Sequence, residues 1–205
     1  LESLVTGQLN ILAFTSEPWQ FFSIDNSGDN APRLIIDYEH NQESESIIKI
    51  PDDFPTIQLG IDAASDGDTV MVSSGTYVEN INWPTTSGIR LIGVHMDSTI
   101  IDGGGVDKVI DNSDDTSHPK EISNLTIQNG YTTGRGGGIS LKMTGDILLK
   151  NIRVNNNQAN FGGGIHIEGE GSVSFVQTVV HIENAIISNN NATSSDGGID
   201  LYGDF

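Results

Sequence analysis

NIRVNNNQANFGGGIHI, residues 151–167, carries two signals in succession. An asparagine opens it, Ile152 and Val154 alternate with polar neighbours, and asparagine returns at Asn156; three glycines then lead into the alternating Ile165-His166-Ile167. Both halves recur. Asn124-Leu125-Thr126-Ile127-Gln128-Asn129 and Asn184-Ala185-Ile186-Ile187-Ser188-Asn189 repeat the first, and Gly136-Gly137-Gly138-Ile139-Ser140-Leu141 and Gly197-Gly198-Ile199-Asp200-Leu201 repeat the second. The period is 26 or 27 residues, then 33 or 34. The longer interval must hold an insertion, most simply in GEGSVSFVQTVVHIE, residues 169–183. Self-similarity at a fixed period is the mark of a repeat architecture.

Short alternating strands with no helix between them describe a chain that coils, laying each strand on its copy from the previous turn. Stacking in register puts equivalent residues about 4.8 Å apart, so identical side chains form ladders, and asparagine amides can donate and accept along one. Asn124, Asn151 and Asn184 are expected to form one ladder, and Asn129, Asn156 and Asn189 a second. The glycines are expected in turn conformations that a Cβ would forbid. Leu125/Ile127, Ile152/Val154 and Ala185/Ile187 are expected to point inward as the core.

Upstream, PTIQLGIDAASDGDTVMVSSGTYVENI, residues 55–81, changes character halfway. Ile57, Ile61 and Ala64 share one helix face, whereas Val70 and Val72, then Tyr77, Glu79 and Ile81, alternate as strands do. A coil stack leaves an open sheet edge at each end that a terminal unit must cover. The spacing predicts a capping helix from about Pro55 to Ser65, with Pro55 in its first turn, Asp52 and Asp53 at the positive end of its dipole, and Gly67 ending it.

PDDFPTIQLGIDAASDGDTVMVSSGTYVENI followed by IRLIGVHMDSTIIDGGG closely resembles the first coils of right-handed parallel β-helix proteins of the pectin-lyase-like class, notably bacterial secreted and cell-surface members. NNNQANFGGGI and NNNATSSDGGI are similar to the repeats of polymorphic outer-membrane proteins and related adhesins. The resemblance spans residues 48–205. It implies an all-β, right-handed parallel β-helix with an N-terminal capping helix, and an extracellular, secreted or cell-surface, bacterial location.

Residues 1–40 read differently. An aromatic run, a turn-rich stretch from Asp25 to Asn30 and the alternation of Leu34, Ile36 and Tyr38 predict strand, turn, strand. Phe22 and Ser23, then Pro32, Leu34, Ile36 and Tyr38, resemble the C-terminal end of the DNRLRE family of extracellular β-sandwich modules, several of which are linked to carbohydrate binding. The polar, acidic residues 41–46 suit a linker. The expected organisation is a partial β-sandwich over 1–40, a linker over 41–46 and β-helix coils over 47–205, with further domains of the same polypeptide beyond. A chain stopping at Leu201-Tyr202-Gly203-Asp204-Phe205, just after a strand start, is expected to self-associate through an open edge.

Composition removes several function classes. Twenty-eight acidic residues against nine basic ones give a net charge of −19, which repels phosphate backbones and anionic lipid and argues against nucleic-acid binding. The absence of cysteine removes disulfides, zinc ribbons and thiol catalysis. No stretch approaches the roughly 20 apolar residues of a membrane span. The five histidines lack HxxH or HxxxH spacing, so none forms a metal pair. Asp107, Asp111, Asp114 and Asp115, next to the glycine-rich IDGGGVD at 101–107, could hold calcium as oxygen ligands, a solvated acidic loop being the plainer reading. No other cofactor is indicated.

Enzymes on this fold can be tested by their motifs. Residues 55–79 resemble the opening of pectin methylesterases, but the QDTL, DFIFG and LGRPW segments of that family do not follow. SSDGGIDLYG, residues 194–203, resembles the NTDGID motif of polygalacturonases, yet it carries an extra glycine and lacks the paired DD and GHG motifs. The pectate-lyase pattern of a calcium cluster with an arginine base is not matched either. No catalytic residue is therefore assigned. The expected role is extracellular binding or scaffolding, with a polysaccharide or cell-surface glycan as ligand; the alternative is a polysaccharide lyase or glycoside hydrolase whose catalytic coils lie past residue 205. In the aligned repeats, alternation sends Ser140, His166 and Asp200 outward as one ladder and Lys142, Glu168 and Tyr202 as its neighbour. These six are the candidate ligand-binding residues.

Overall fold

The computed structural model describes residues 45–86, 88–112, 119–143, 145–169 and 179–203. The chain divides into two compact units, Leu1–Gln42 and Glu43–Phe205. The β-sandwich expected over residues 1–40 lies outside the described residues, as do Asp114 and Asp115 of the acidic loop. From Ile47 onward the fold is an all-β, right-handed parallel β-helix, and every described strand pairing is parallel.

Among the described residues three columns of strands wrap the core, and Gln158–Phe161 and Asn191–Ser195 form a separate two-stranded sheet. The first runs from Ile47–Ile50 through Thr69–Val72, Arg90–Gly93, Glu121–Gln128 and Asp146–Asn155 to Val179–Glu183. The long strands Glu121–Gln128 and Asp146–Asn155 bend midway, and their second halves join Gly75–Val78, Thr99–Asp102 and Ile186–Ser188 in the second column. Ile81–Asn82, Ile110–Asn112, Ile139–Met143, Ile165–Gly169 and Ile199–Gly203 form the third. Register agrees with the sequence repeat, since Ile139 pairs with Ile165 and Ile165 with Ile199. Met143 pairs with Gly169 at a spacing of 26, whereas Asp146 pairs with Val179 at 33. The extra residues therefore fall between 169 and 179. Leu125, Ile127, Ile152, Val154, Ile165 and Ile167 are completely buried in one continuous core, with Ala185 and Ile187 packed against it.

Asparagine makes the bends. Asn124, Asn151 and Asn184 all have φ near +50° to +60°, in the left-handed region that asparagine tolerates better than other side chains. Asn151 Nδ2 donates to Asn124 Oδ1 at 2.9 Å, and Asn184 Nδ2 to Asn151 Oδ1 at 2.8 Å. Asn129, Asn156 and Asn189 are likewise left-handed, but their side chains do not form the expected second ladder. Asn129 Nδ2 donates instead to Asp102 Oδ2 at 2.7 Å. The bonded pair lies one residue later, where Asn157 Nδ2 donates to Asn190 Oδ1 at 3.0 Å and to Ile127 O, and Asn190 Nδ2 donates to Val154 O. A left-handed residue swings the following side chain inward, so Asn157 and Asn190 satisfy carbonyls that the turn leaves unpaired.

The glycines divide into two kinds. Gly136 and Gly162 are left-handed, at φ +66° and +55°. Gly137 and Gly163 are required by close approach instead, because a Cβ would stand 2.7 Å from Gly163 O and 2.8 Å from Gly197 O respectively, backbone atoms of the next coil.

The capping helix is shorter than expected, Ile57–Ala63, with Thr56 as its N-cap accepting the Leu59 N–H. Ile57 and Ile61 are fully buried, and the helix packs on the strands Ile47–Ile50, Thr69–Val72 and Ile81–Asn82. The acid at its N-terminus is neither Asp52 nor Asp53. Glu79 takes that place, its two carboxylate oxygens each accepting at 3.1 Å, from the Ile57 and Gln58 N–H groups. Asp53 bonds the Lys49 N–H instead. Glu79 follows the second strand after the helix, so helix and first coil are fastened by a contact invisible to local sequence rules.

Asn151 is the middle rung of its ladder and fixes a bend. Asn151→Ala should lower unfolding free energy by about 2 kcal/mol, through lost amide bonds and left-handed strain. Asn151→Gly, which relieves the strain alone, should be less damaging. Urea unfolding of both variants checks the order, and equal losses would contradict a conformational role for this asparagine.

Candidate functional site

The outward side chains of the third column stand in register as Asn82, Asp111, Ser140, His166 and Asp200, and beside them run Lys142, Glu168 and Tyr202. The strands thus bring all six sequence-derived candidates to one face. Openness to solvent differs from the expectation for two of them. Ser140 is fully buried and His166 is 2% exposed. The turn at residues 134–138 folds back over the strand, close enough that a Cβ on Gly136 would stand 2.7 Å from Ser140 Cβ. Alternation reports which side of a sheet a residue faces but not what covers that side. Lys142 and Glu168 are half-buried, and Tyr202 is 57% exposed.

Arg135 holds the turn in place and was not among the sequence candidates. Its guanidinium lies 5.1 Å from the ring centres of both Phe161 and Tyr202, within cation–π range. Its Nη1 is 3.8 Å from Asp200 Oδ2. Nothing in the repeat pattern marks Arg135, which sits in a turn; only the paired placement of Phe161 beside it in space reveals its role.

Between turn and strands lies a cleft of about 380 Å³ lined by Lys108, Arg135, Ser140, Lys142, His166 and Glu168 among others. Three of the chain's nine cations line it. Asp111, which bonds Lys108 Nζ through both oxygens at 3.0 Å, Asp200 and Glu168 balance them. On a chain of net charge −19, this is a locally neutral place. Among the described residues no cluster of three metal-ligating side chains occurs, and Asp107 and Asp111 of the acidic loop are engaged with Lys108.

His166 Nδ1 and Asp200 Oδ2 are 2.8 Å apart. Burial pushes the imidazole below its ordinary value, and Arg135 adds to that; the bond and charge of Asp200 oppose the shift without overcoming it. His166 is therefore neutral near pH 7, with Nδ1–H donating to the carboxylate and the lone pair on Nε2.

No family model and no curated protein sequence matches this chain. Among solved structures it is similar to a mutant pectin methylesterase crystallised in complex with a hexasaccharide, at 17% identity and a TM-score of 0.42, over 77% of this chain and 59% of that one. At that identity no residue role carries across.

The His166 shift fixes a pH dependence. Its folded pKa lies below the ordinary 6.5, so its contribution to stability is complete above 6.5 and is lost as pH falls through the folded value. Urea midpoints should therefore drop between pH 7.5 and pH 5 more steeply in the wild type than in His166→Gln. Parallel slopes would show that the imidazole is not held neutral.

Proposed function

We propose that this protein binds a neutral glycan along the outer face of its third strand column, and that it does so outside the cell as part of a larger surface or secreted polypeptide. The observation that carries the reading is the composition of the cleft rim. Tyr202 offers an exposed ring next to Arg135 and Glu168, and Arg135, Lys142 and Glu168 line the adjoining cleft with donors and acceptors in a charge-balanced setting. Sugars are bound this way, by an aromatic face against C–H groups and polar side chains at the hydroxyls. Strand copies repeat along the column, so a polymer laid across them meets Lys142, Glu168 and Tyr202 on successive rungs. The net charge of −19 disfavours anionic polymers by long-range repulsion. The resemblance of residues 1–40 to a carbohydrate-linked sandwich module, and of the Asn/Gly-Gly repeats to surface adhesins, is consistent with the same placement.

Native affinity electrophoresis through gels containing galactomannan, xylan, mixed-linkage β-glucan or polygalacturonate tests the proposal. At least one neutral polymer should retard the wild type, and Arg135→Ala/Tyr202→Ala should lose most of that retardation while melting within a few degrees of the parent. Retardation by none of the neutral polymers, or equal retardation of the variant, would overturn it.

A further inference from the structure

We propose that Asp200, His166 and Ser140 form an orienting acid, a general base and a nucleophile for hydrolysis of O-acyl esters carried on a glycan. The three residues occupy successive rungs of one column, in register. Asp200 Oδ2 takes the Nδ1–H of His166 at 2.8 Å, and this assigns the ring tautomer. The two ring nitrogens project in nearly opposite directions. With Nδ1 committed to the Asp200 rung, Nε2 is the nitrogen left to act as base, and Ser140 occupies the rung on the other side of His166.

Two unpaired groups single out this place. His166 Nε2 and Ser140 Oγ are both buried and without a hydrogen-bond partner. Among the described residues only Ser123 Oγ and Asn155 Oδ1 share that state, and they stand in other columns. An acceptor and a hydroxyl on adjacent rungs are complementary, and nucleophile–base bonds are often long before substrate binds. Both residues line the cleft, beside the half-buried Lys142. The row supplies residue types for nucleophile, base and orienting group on successive rungs, with the base–orienting bond already made.

The chemistry balances without a cofactor. Ser140 Oγ attacks the ester carbonyl carbon, its proton passes to His166 Nε2, and the carbonyl electron pair moves onto oxygen next to the Lys142 ammonium. Collapse of that intermediate breaks the bond to the sugar oxygen, which leaves as a hydroxyl with the proton from Nε2. Water then attacks the acyl-serine through the same base, releasing a carboxylic acid and restoring Ser140. Asp200 stabilises the transient imidazolium and keeps its own charge; it is a positioning residue. The Gly134-Arg135-Gly136 turn packs closely on buried Ser140, so the reaction requires that turn to lift, and the Arg135 contacts with Phe161 and Tyr202 hold it down.

The glycan half of this substrate rests on the binding face proposed above, whereas the catalytic row does not, so the test uses reagents without sugar. The protein is treated with a fluorophosphonate and mapped by peptide mass, and its hydrolysis of p-nitrophenyl acetate is followed. The wild type should carry one adduct, on Ser140, formed faster in Arg135→Ala and not at all in Ser140→Ala. His166→Asn should lose at least 100-fold in ester turnover, and Asp200→Asn should lower kcat with little change in KM. Failure of both the wild type and Arg135→Ala to label at Ser140, with native melting curves, would overturn the proposal. Labelling at Ser140 without retention on any neutral polymer would uphold the row and reject the glycan.

Discussion

In-register parallel stacking is the constraint on which everything else in this molecule depends. Each strand bonds to its own copy 21 to 34 residues away, so a side chain's nearest neighbours along the column are its equivalents in the adjacent coils. Like residues are welcome on the inside, where isoleucine stands on isoleucine at 110, 139, 165 and 199. On the outside they are a liability if charged, because two carboxylates about 5 Å apart repel. The chain carries 28 acids, yet among the described strand pairings no carboxylate stands directly beside another. Glu168 stands between Lys142 and Tyr202, Glu183 beside Lys150, and Asp102 beside Gln128. The excess negative charge is displaced off the ladders.

The same constraint explains which features were legible in the sequence. Asparagine at 124, 151 and 184 is needed twice over, once for a left-handed backbone and once for an amide that bonds its own copy, and few residues meet both demands. Glycine at 137 and 163 is dictated by the carbonyl of the coil beyond. These requirements recur once per coil, and recurrence made the coil, its period, its core alternation and the insertion between 169 and 179 readable. The cap was readable for the opposite reason: a single helical stretch in a chain of strands has nothing to repeat.

What escaped the sequence lies between coils or above them. The second asparagine ladder was placed at 129, 156 and 189 because those positions recur in all three repeats, while the bonded amides belong to Asn157 and Asn190, one step further on. The left-handed residue and the bonding residue are adjacent, and a run such as Asn155-Asn156-Asn157 does not say which is which. Glu79 was overlooked as the helix's acid since it arrives from a later part of the coil, just past the strand Gly75–Val78. Alternation correctly put Ser140 and His166 on the face opposite Ile139 and Ile165, but their burial comes from a glycine-rich turn whose path no periodicity encodes. Arg135 belongs to that turn and was missed with it.

Carboxylates in this fold fall into two populations with different duties. A few are internal fasteners. Burial alone would raise Asp68 and Asp102, but the Ser65 and Ser46 N–H groups hold the first below its ordinary value, and Gln128, Gly104 and Asn129 do so for the second. Asp200 is bonded to His166 and lies near Arg135, and Glu79 accepts two helix N–H groups. The remainder give the molecule its long-range field, which is uniform in sign and screened beyond roughly 10 Å at ordinary salt. Within that field the cleft beneath Arg135 gathers Lys108, Arg135 and Lys142 beside Asp111, Glu168 and Asp200. A neutral ligand feels no long-range penalty in approaching it. The stacking that forbids like charges on adjacent rungs is also what placed a hydroxyl, an imidazole and a carboxylate in line there.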